Sequence, residues 1–143
     1  MKVILNTESV RFPLTGIGRY TYELAKALQK QEALASLRFF AAGQFVSLPE
    51  EADCNAAPML ARGKLANLKA VLQKSSMFME VYRNLAEVVR SNGLKGHQGC
   101  IYHGPNFFLP QFDGPSVATF HDLSPFTWAN CHEPAKVRYM QKE

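Results

Sequence analysis

The order of elements along the chain predicts an α/β domain, a mostly parallel sheet flanked by helices. Two observations carry that expectation. Short apolar, β-rich runs alternate with longer segments of helical periodicity, the pattern that feeds parallel strands through crossover helices. The 143 residues, 47% hydrophobic and 20% charged, supply one core but not a second full domain.

The elements follow in order. Residues 2–6 (KVILN) form a buried first strand ending in a polar loop, 7–15. A helix is expected over 16–30, with Ile17, Tyr20, Leu24 and Leu28 on one face. Residues 37–42 (LRFFAA) read as the second strand, stopped by Gly43. Residues 43–63 mix Pro, Gly, Asn, Asp and Glu and read as loop. Residues 64–92 have helical character, and Phe78, Tyr82, Leu85 and Val89 make a core-facing stripe. Ser91-Asn92-Gly93 is the expected stop, where Asn or Gly can take a positive φ. Residues 99–103 (GCIYH) and 116–120 (SVATF) give the third and fourth strands. Pro134 then opens a last helix.

Composition excludes several classes. Three cysteines, Cys54, Cys100 and Cys131, with no CxxC pair, suggest neither a disulfide framework nor a zinc site, and Cys100 reads as a reduced core residue. A cytoplasmic location fits that cysteine usage; the N-terminal apolar run is too short for a signal peptide, and no run approaches the length of a membrane span. The net charge of +4 comes from residues 62–99, where Arg62, Lys64, Lys69, Lys74, Arg83, Arg90 and Lys95 face only Glu80 and Glu87. Such a segment is either a solvated helix face or a patch for anionic lipid or a phosphorylated ligand. No nucleic-acid partner is expected.

In an open parallel sheet, ligands sit at the carboxyl ends of strands. Three segments fall there. In Thr15-Gly16-Ile17-Gly18-Arg19-Tyr20, two glycines at a helix start permit close backbone approach, and exposed N–H groups favour an anion such as a diphosphate. Taken alone, the same residues read as a glycine turn entering a helix. A dinucleotide fingerprint does not fit, because about ten residues separate the glycines from the first strand, Thr21 holds the third glycine position, and the second strand leads to Ala42-Gly43 rather than an acid. No phosphate-binding G-x-x-x-x-G-K-[ST] loop exists.

The second segment is Thr119-Phe120-His121-Asp122-Leu123-Ser124. Here His121 points into the crevice or is satisfied by backbone groups, and Asp122 orients it or binds a hydroxyl. The chain has no D-x-D, so no metal–carboxylate clamp on a diphosphate is expected. The third, Tyr102-His103-Gly104-Pro105-Asn106, sets polar groups beside Phe107 and Phe108, a combination that grips a sugar ring or simply packs a wide turn. His97 and His132 receive no role, and Trp128 reads as a packing residue.

Together these segments resemble family 4 glycosyltransferases of GT-B type. TGIGRYTYELAKAL after a loop holding Arg11, YHGPNFFLP, and ATFHDLSPFTW followed by His132-Glu133-Pro134 occur in that family's order and cover roughly 1–30 and 100–140. The resemblance implies that residues 1–143 are the N-terminal, acceptor-side Rossmann-like domain of a longer protein, incomplete at its C-terminus and lacking the nucleotide-binding domain. It implies a retaining, metal-independent transfer of a sugar from a nucleotide-sugar to a hydroxyl acceptor, without a cofactor, in cell-envelope or polysaccharide synthesis. The family's range suggests mannose as the sugar. Gly16, Ile17, Gly18 and Arg19 would meet the donor diphosphate, His121 and Asp122 would be catalytic, and His103 and Asn106 would lie on the acceptor side. The acceptor would be a glycan or lipid-linked, with attachment to the inner membrane face. The chain alone is expected to be inactive. The competing expectation is a non-catalytic α/β module binding a glycan, a lipid surface or a partner.

Overall fold

The computed structural model describes residues 1–50, 76–132 and 137, and for 76–84 the backbone alone. The elements are β1 (Lys2–Asn6), α1 (Gly16–Gln29), β2 (Ser36–Ala41), β3 (Gln44–Val46), α2 (Ser76–Leu94), β4 (Ile101–Gly104), β5 (Ser116–Ala118), the single turn α3 (Ser124–Thr127) and a 3₁₀ turn, Ala129–Cys131. They build a mixed five-stranded sheet of order β3-β2-β1-β4-β5. β1 runs parallel to β2 and β4, β4 runs parallel to β5, and β3 is antiparallel to β2. An α/β sheet of this order is compatible with a Rossmann-like domain. From β1 the chain moves outward to β2 and β3, then returns to the other side of β1 for β4. The switch in strand order therefore lies between β1 and β4, where open α/β sheets form their ligand crevice.

Strand side chains alternate between faces, and that alternation divides the core in two. Ile4, Phe40 and Tyr102 pack with Leu94 of α2 on one face, joined by Phe45, Cys100, Leu109 and Phe112. Leu5 and Phe39 pack with Ala25 of α1 on the other, joined by Leu24, Leu28, Leu37, Val46 and Leu48. Ile4, Leu5 and Phe40 are fully buried. The helices thus cover opposite faces, because adjacent apolar residues in β1 and β2 leave neither face able to meet water.

Several expectations need correction. Residues 44–46, read as loop, form β3. Phe40 pairs with Phe45 and Phe39 with Val46 across a two-residue hairpin through Ala42 and Gly43. Both turn residues have positive φ, 50° and 86°, the conformation a tight hairpin requires. Ala42 stands where Asn or Asp would have signalled the turn, which hid it.

The stripe on α2 is also displaced. Leu85 and Val89 are 60% and 46% exposed, whereas Leu94 is buried; the side chains of Phe78 and Tyr82 lie outside the described residues. The helix does not stop at Gly93. It runs to Leu94, and the positive φ belongs to Gly96. A Cβ on Gly93 would run into the Gly43 carbonyl oxygen, so this glycine is there to let α2 sit on the hairpin. That close contact fixes the helix rotation and overrides the apolar stripe. On α1, Gly18, Thr21 and Ala25 are the buried positions, while Tyr20 is 40% exposed. Trp128, expected to pack, is 68% exposed. Of the helix expected from Pro134 only Val137, helical and buried, is among the described residues, and the segment 64–75 that holds Lys64, Lys69 and Lys74 lies outside them.

Candidate functional site

Because β1, β4 and β5 are mutually parallel, their three following segments emerge at one end of the sheet. They meet at His121. Its Nε2 lies 2.7 Å from the Pro105 carbonyl oxygen, which ties the loop after β5 to the turn after β4. Its ring meets Tyr20 edge-on, with centroids 4.8 Å apart, which ties it to α1. A carbonyl only accepts, so Nε2 carries a proton and Nδ1 is the nitrogen left to serve a ligand when the ring is neutral. His121 is exposed. The residue holding its Nε2 is Pro105, not Asp122.

The start of α1 is set by its surroundings. Thr15 caps the helix, its Oγ1 accepting from the Gly18 amide at 3.4 Å. Thr21 Oγ1 donates to the Ile17 carbonyl, so Ser9 donates to Thr21 across 2.8 Å. Gly18 is buried, and a Cβ there would stand 2.7 Å from the Ser9 carbonyl oxygen. Its lack of a side chain thus serves the fit between loop and helix. Around Gly16 a Cβ would find nothing within 4 Å, so that end of the helix is open. The first-turn amides of a helix have no intrahelical acceptor, and Gly16 and Ile17 occupy that turn. The Arg19 amide bonds the Thr15 carbonyl at 2.8 Å, and its side chain is exposed.

On the β4 side, His103 Nε2 and Thr119 Oγ1 are 2.9 Å apart. Burial lowers the His103 pKa from its ordinary value, so the ring is neutral at pH 7. Asn106 Oδ1 accepts from the Phe107 amide at 3.1 Å, closing the turn.

Sequence reading missed a second set of groups at this end of the sheet. Asn6 Nδ2 donates to the Tyr102 hydroxyl at 2.7 Å, and Asn6 Oδ1 accepts from the Glu8 amide at 2.8 Å. Burial of Tyr102 pushes its hydroxyl up to about 12. Arg90 reaches from α2 to hold Glu8 with two hydrogen bonds, 3.1 Å through Nε and 2.7 Å through Nη2, and lies 5.1 Å from the Phe108 ring centre. Arg90 is therefore an anchored ion-pair partner, not one charge in a solvated basic face. Glu8 and Arg90 stand 82 residues apart, so no local pattern could have joined them. Ser124 and His132 were missed as well. Ser124 bonds Asp122 through its amide, 2.7 Å, and its hydroxyl, which also lies 2.7 Å from His132 Nε2. The Asp-x-Ser spacing was a legible turn signal; the histidine eight residues on was not.

The fold is that of an α/β protein whose strand order switches between β1 and β4, at the end of the sheet where these segments meet. No family model and no solved structure matches the chain. In sequence it is 37% identical over 143 residues to the O-antigen chain mannosyltransferase B of Escherichia coli, an alignment covering 99% of this chain and 37% of that protein. The chain thus spans little more than a third of the length of this relative.

Proposed function

We propose that the chain is the N-terminal, acceptor-side part of a GT-B glycosyltransferase that moves a sugar, mannose on the example of its relative, from a nucleotide-sugar to a hydroxyl of a growing polysaccharide. The observation that carries this reading is the meeting of three segments at His121, joined to Pro105 by its hydrogen bond and to Tyr20 by its ring contact. Sequence identity to a mannosyltransferase along nearly the whole chain supports it.

In this reading the open first turn of α1, at Gly16 and Ile17, offers N–H groups to the donor diphosphate as the bond from the anomeric carbon to phosphate breaks. Donors fixed where charge develops lower the barrier without reorganising. The acceptor oxygen bonds the anomeric carbon on the face the diphosphate leaves, so configuration is retained, and the acceptor proton passes to the departing phosphate oxygen. No metal is required by this balance. His121 Nδ1, with its partner nitrogen held by Pro105, accepts a hydrogen bond from a hydroxyl of the transferred sugar. Arg19 and Asp122 position the donor. His103, uncharged, and Asn106 line the acceptor side. A nucleotide-sugar donor fits a cytoplasmic site, and a lipid-linked acceptor fits work at the inner membrane face; no helix among the described residues is long and apolar enough to cross a membrane.

The test uses the full-length protein, with release of nucleoside diphosphate measured from GDP-mannose and other sugar nucleotides in the presence of polysaccharide or lipid-linked acceptors. His121→Ala is expected to lower kcat by about 10²–10³-fold, the usual cost of a transition-state hydrogen bond, while leaving the fold intact. A folded full-length protein that releases diphosphate from none of these donors overturns the reading.

A further inference from the structure

The loop that carries His121 is braced by a hydrogen-bond chain whose direction the structure fixes. Asp122 accepts twice from Ser124, from its amide at 2.7 Å and from its hydroxyl. A serine hydroxyl has one proton. With that proton given to Asp122, the Ser124 oxygen faces His132 Nε2, 2.7 Å away, as an acceptor. His132 Nε2 must then donate. The chain runs from His132 through Ser124 to Asp122. It joins the 3₁₀ turn at Ala129–Cys131, which His132 follows, to the residue directly after His121.

This order excludes a nucleophilic serine. A hydrolytic triad needs histidine between serine and carboxylate, taking the serine proton. Here serine sits in the middle and its proton points at the carboxylate, so His132 cannot act as its base. What the arrangement can do is hold geometry. Asp122 ends a chain of charge-assisted bonds, which are shorter and stronger than neutral ones. His121 and Asp122 are both exposed, so this chain of bonds adds to what the Tyr20 ring and the buried Pro125 fix.

We propose that His132 is a positioning residue for the transfer reaction: its Nε2 proton, relayed through the Ser124 hydroxyl to Asp122, holds the loop in which His121 bonds Pro105 and meets Tyr20. This rests on the glycosyltransferase reading above, and it extends the working site eight residues beyond Ser124 to a histidine outside the crevice-facing loop.

Two arms test it in the full-length protein. In the kinetic arm, His132→Leu is expected to lower kcat about tenfold or more, since small misplacements of reacting groups are costly. His132→Gln keeps an N–H near the Nε2 position and should recover most of the rate. Ser124→Ala should match His132→Leu, and the double variant should be no worse than either, because one chain is broken once. In the spectroscopic arm, ¹⁵N-labelled histidine should report His132 Nε2 as protonated at neutral pH, with its shift moved by Ser124→Ala.

The outcomes separate the two claims. An inactive wild type with the expected Nε2 signal removes the transferase reading and leaves the bracing chain in place. An active wild type whose His132→Leu variant has unchanged kcat, or loses rate that glutamine does not restore, overturns the proposal. So does a His132 Nε2 without its proton.

Discussion

Two halves of one sheet obey different rules. In β1, β2 and β4 the apolar residues are closed off: Ile4, Leu5, Phe40 and Tyr102 are fully buried between α1 and α2. Along β5 and the segment after it, Pro125 is buried, but most of the large apolar residues face outward. Val117, Phe120, Leu123, Phe126 and Trp128 are 43% to 68% exposed. Yet this second half supplies His121, Asp122, Ser124 and His132. Stability resides where both faces are covered, and the candidate chemistry sits at the less covered edge, held by hydrogen bonds together with the Tyr20 ring and the buried Pro125. Loops set on a rigid scaffold are where function concentrates.

The sharpest way to break that contrast is to remove one ring from each half. Phe40→Ala should destabilise by about 3–5 kcal/mol through lost burial and a cavity, whereas Trp128→Ala should stay within about 0.5 kcal/mol. Urea unfolding followed by far-ultraviolet circular dichroism compares them, and equal effects would dissolve the distinction. Next in size, Gly93→Ala drives a Cβ into the Gly43 carbonyl and should cost about 1–3 kcal/mol, seen as a lower Tm.

Tyr102→Phe leaves the buried Asn6 amide without its acceptor, at a cost of about 1–3 kcal/mol. It also carries a pH signature. The folded hydroxyl titrates near 12 against 10.0 for its ordinary value. The stabilisation is therefore complete below pH 10 and is lost as pH rises toward 12, because the unfolded chain ionises first. The Phe variant should lack that alkaline slope. The smallest effect belongs to His103. Its pKa lies below the ordinary 6.5 because of burial, so the unfolded chain takes up a proton first as pH falls. Stability is complete above pH 6.5 and declines below it, a decline that His103→Gln should flatten in acid titrations of Tm.

Much of the scaffold was legible. The first strand was placed at its observed bounds, the α1 boundary within a residue, and the later strands within a few, because five- and six-residue apolar runs beside Gly and Pro have few alternatives. That three segments share one end of the sheet was legible from chain direction: parallel strands send their following loops to one end. The losses have specific causes. β3 was hidden by Ala42 in a position that seldom takes alanine. The α2 face was misassigned because a backbone contact, Gly93 on Gly43, outranked an apolar stripe. Tyr20 looked like core by spacing but turns its ring to His121.

From composition and pattern alone, this chain determines its α/β class, its parallel strands and the one end of the sheet to which their following segments run, since these follow from local periodicity and chain direction. Only the tertiary structure decided which groups touch: Arg90 with Glu8, His121 with Pro105 and Tyr20, His132 with Ser124. Those pairings join residues as far apart in the chain as Tyr20 and His121, and a contact between distant segments depends on how the helices settle on the sheet, which no local run of residues encodes.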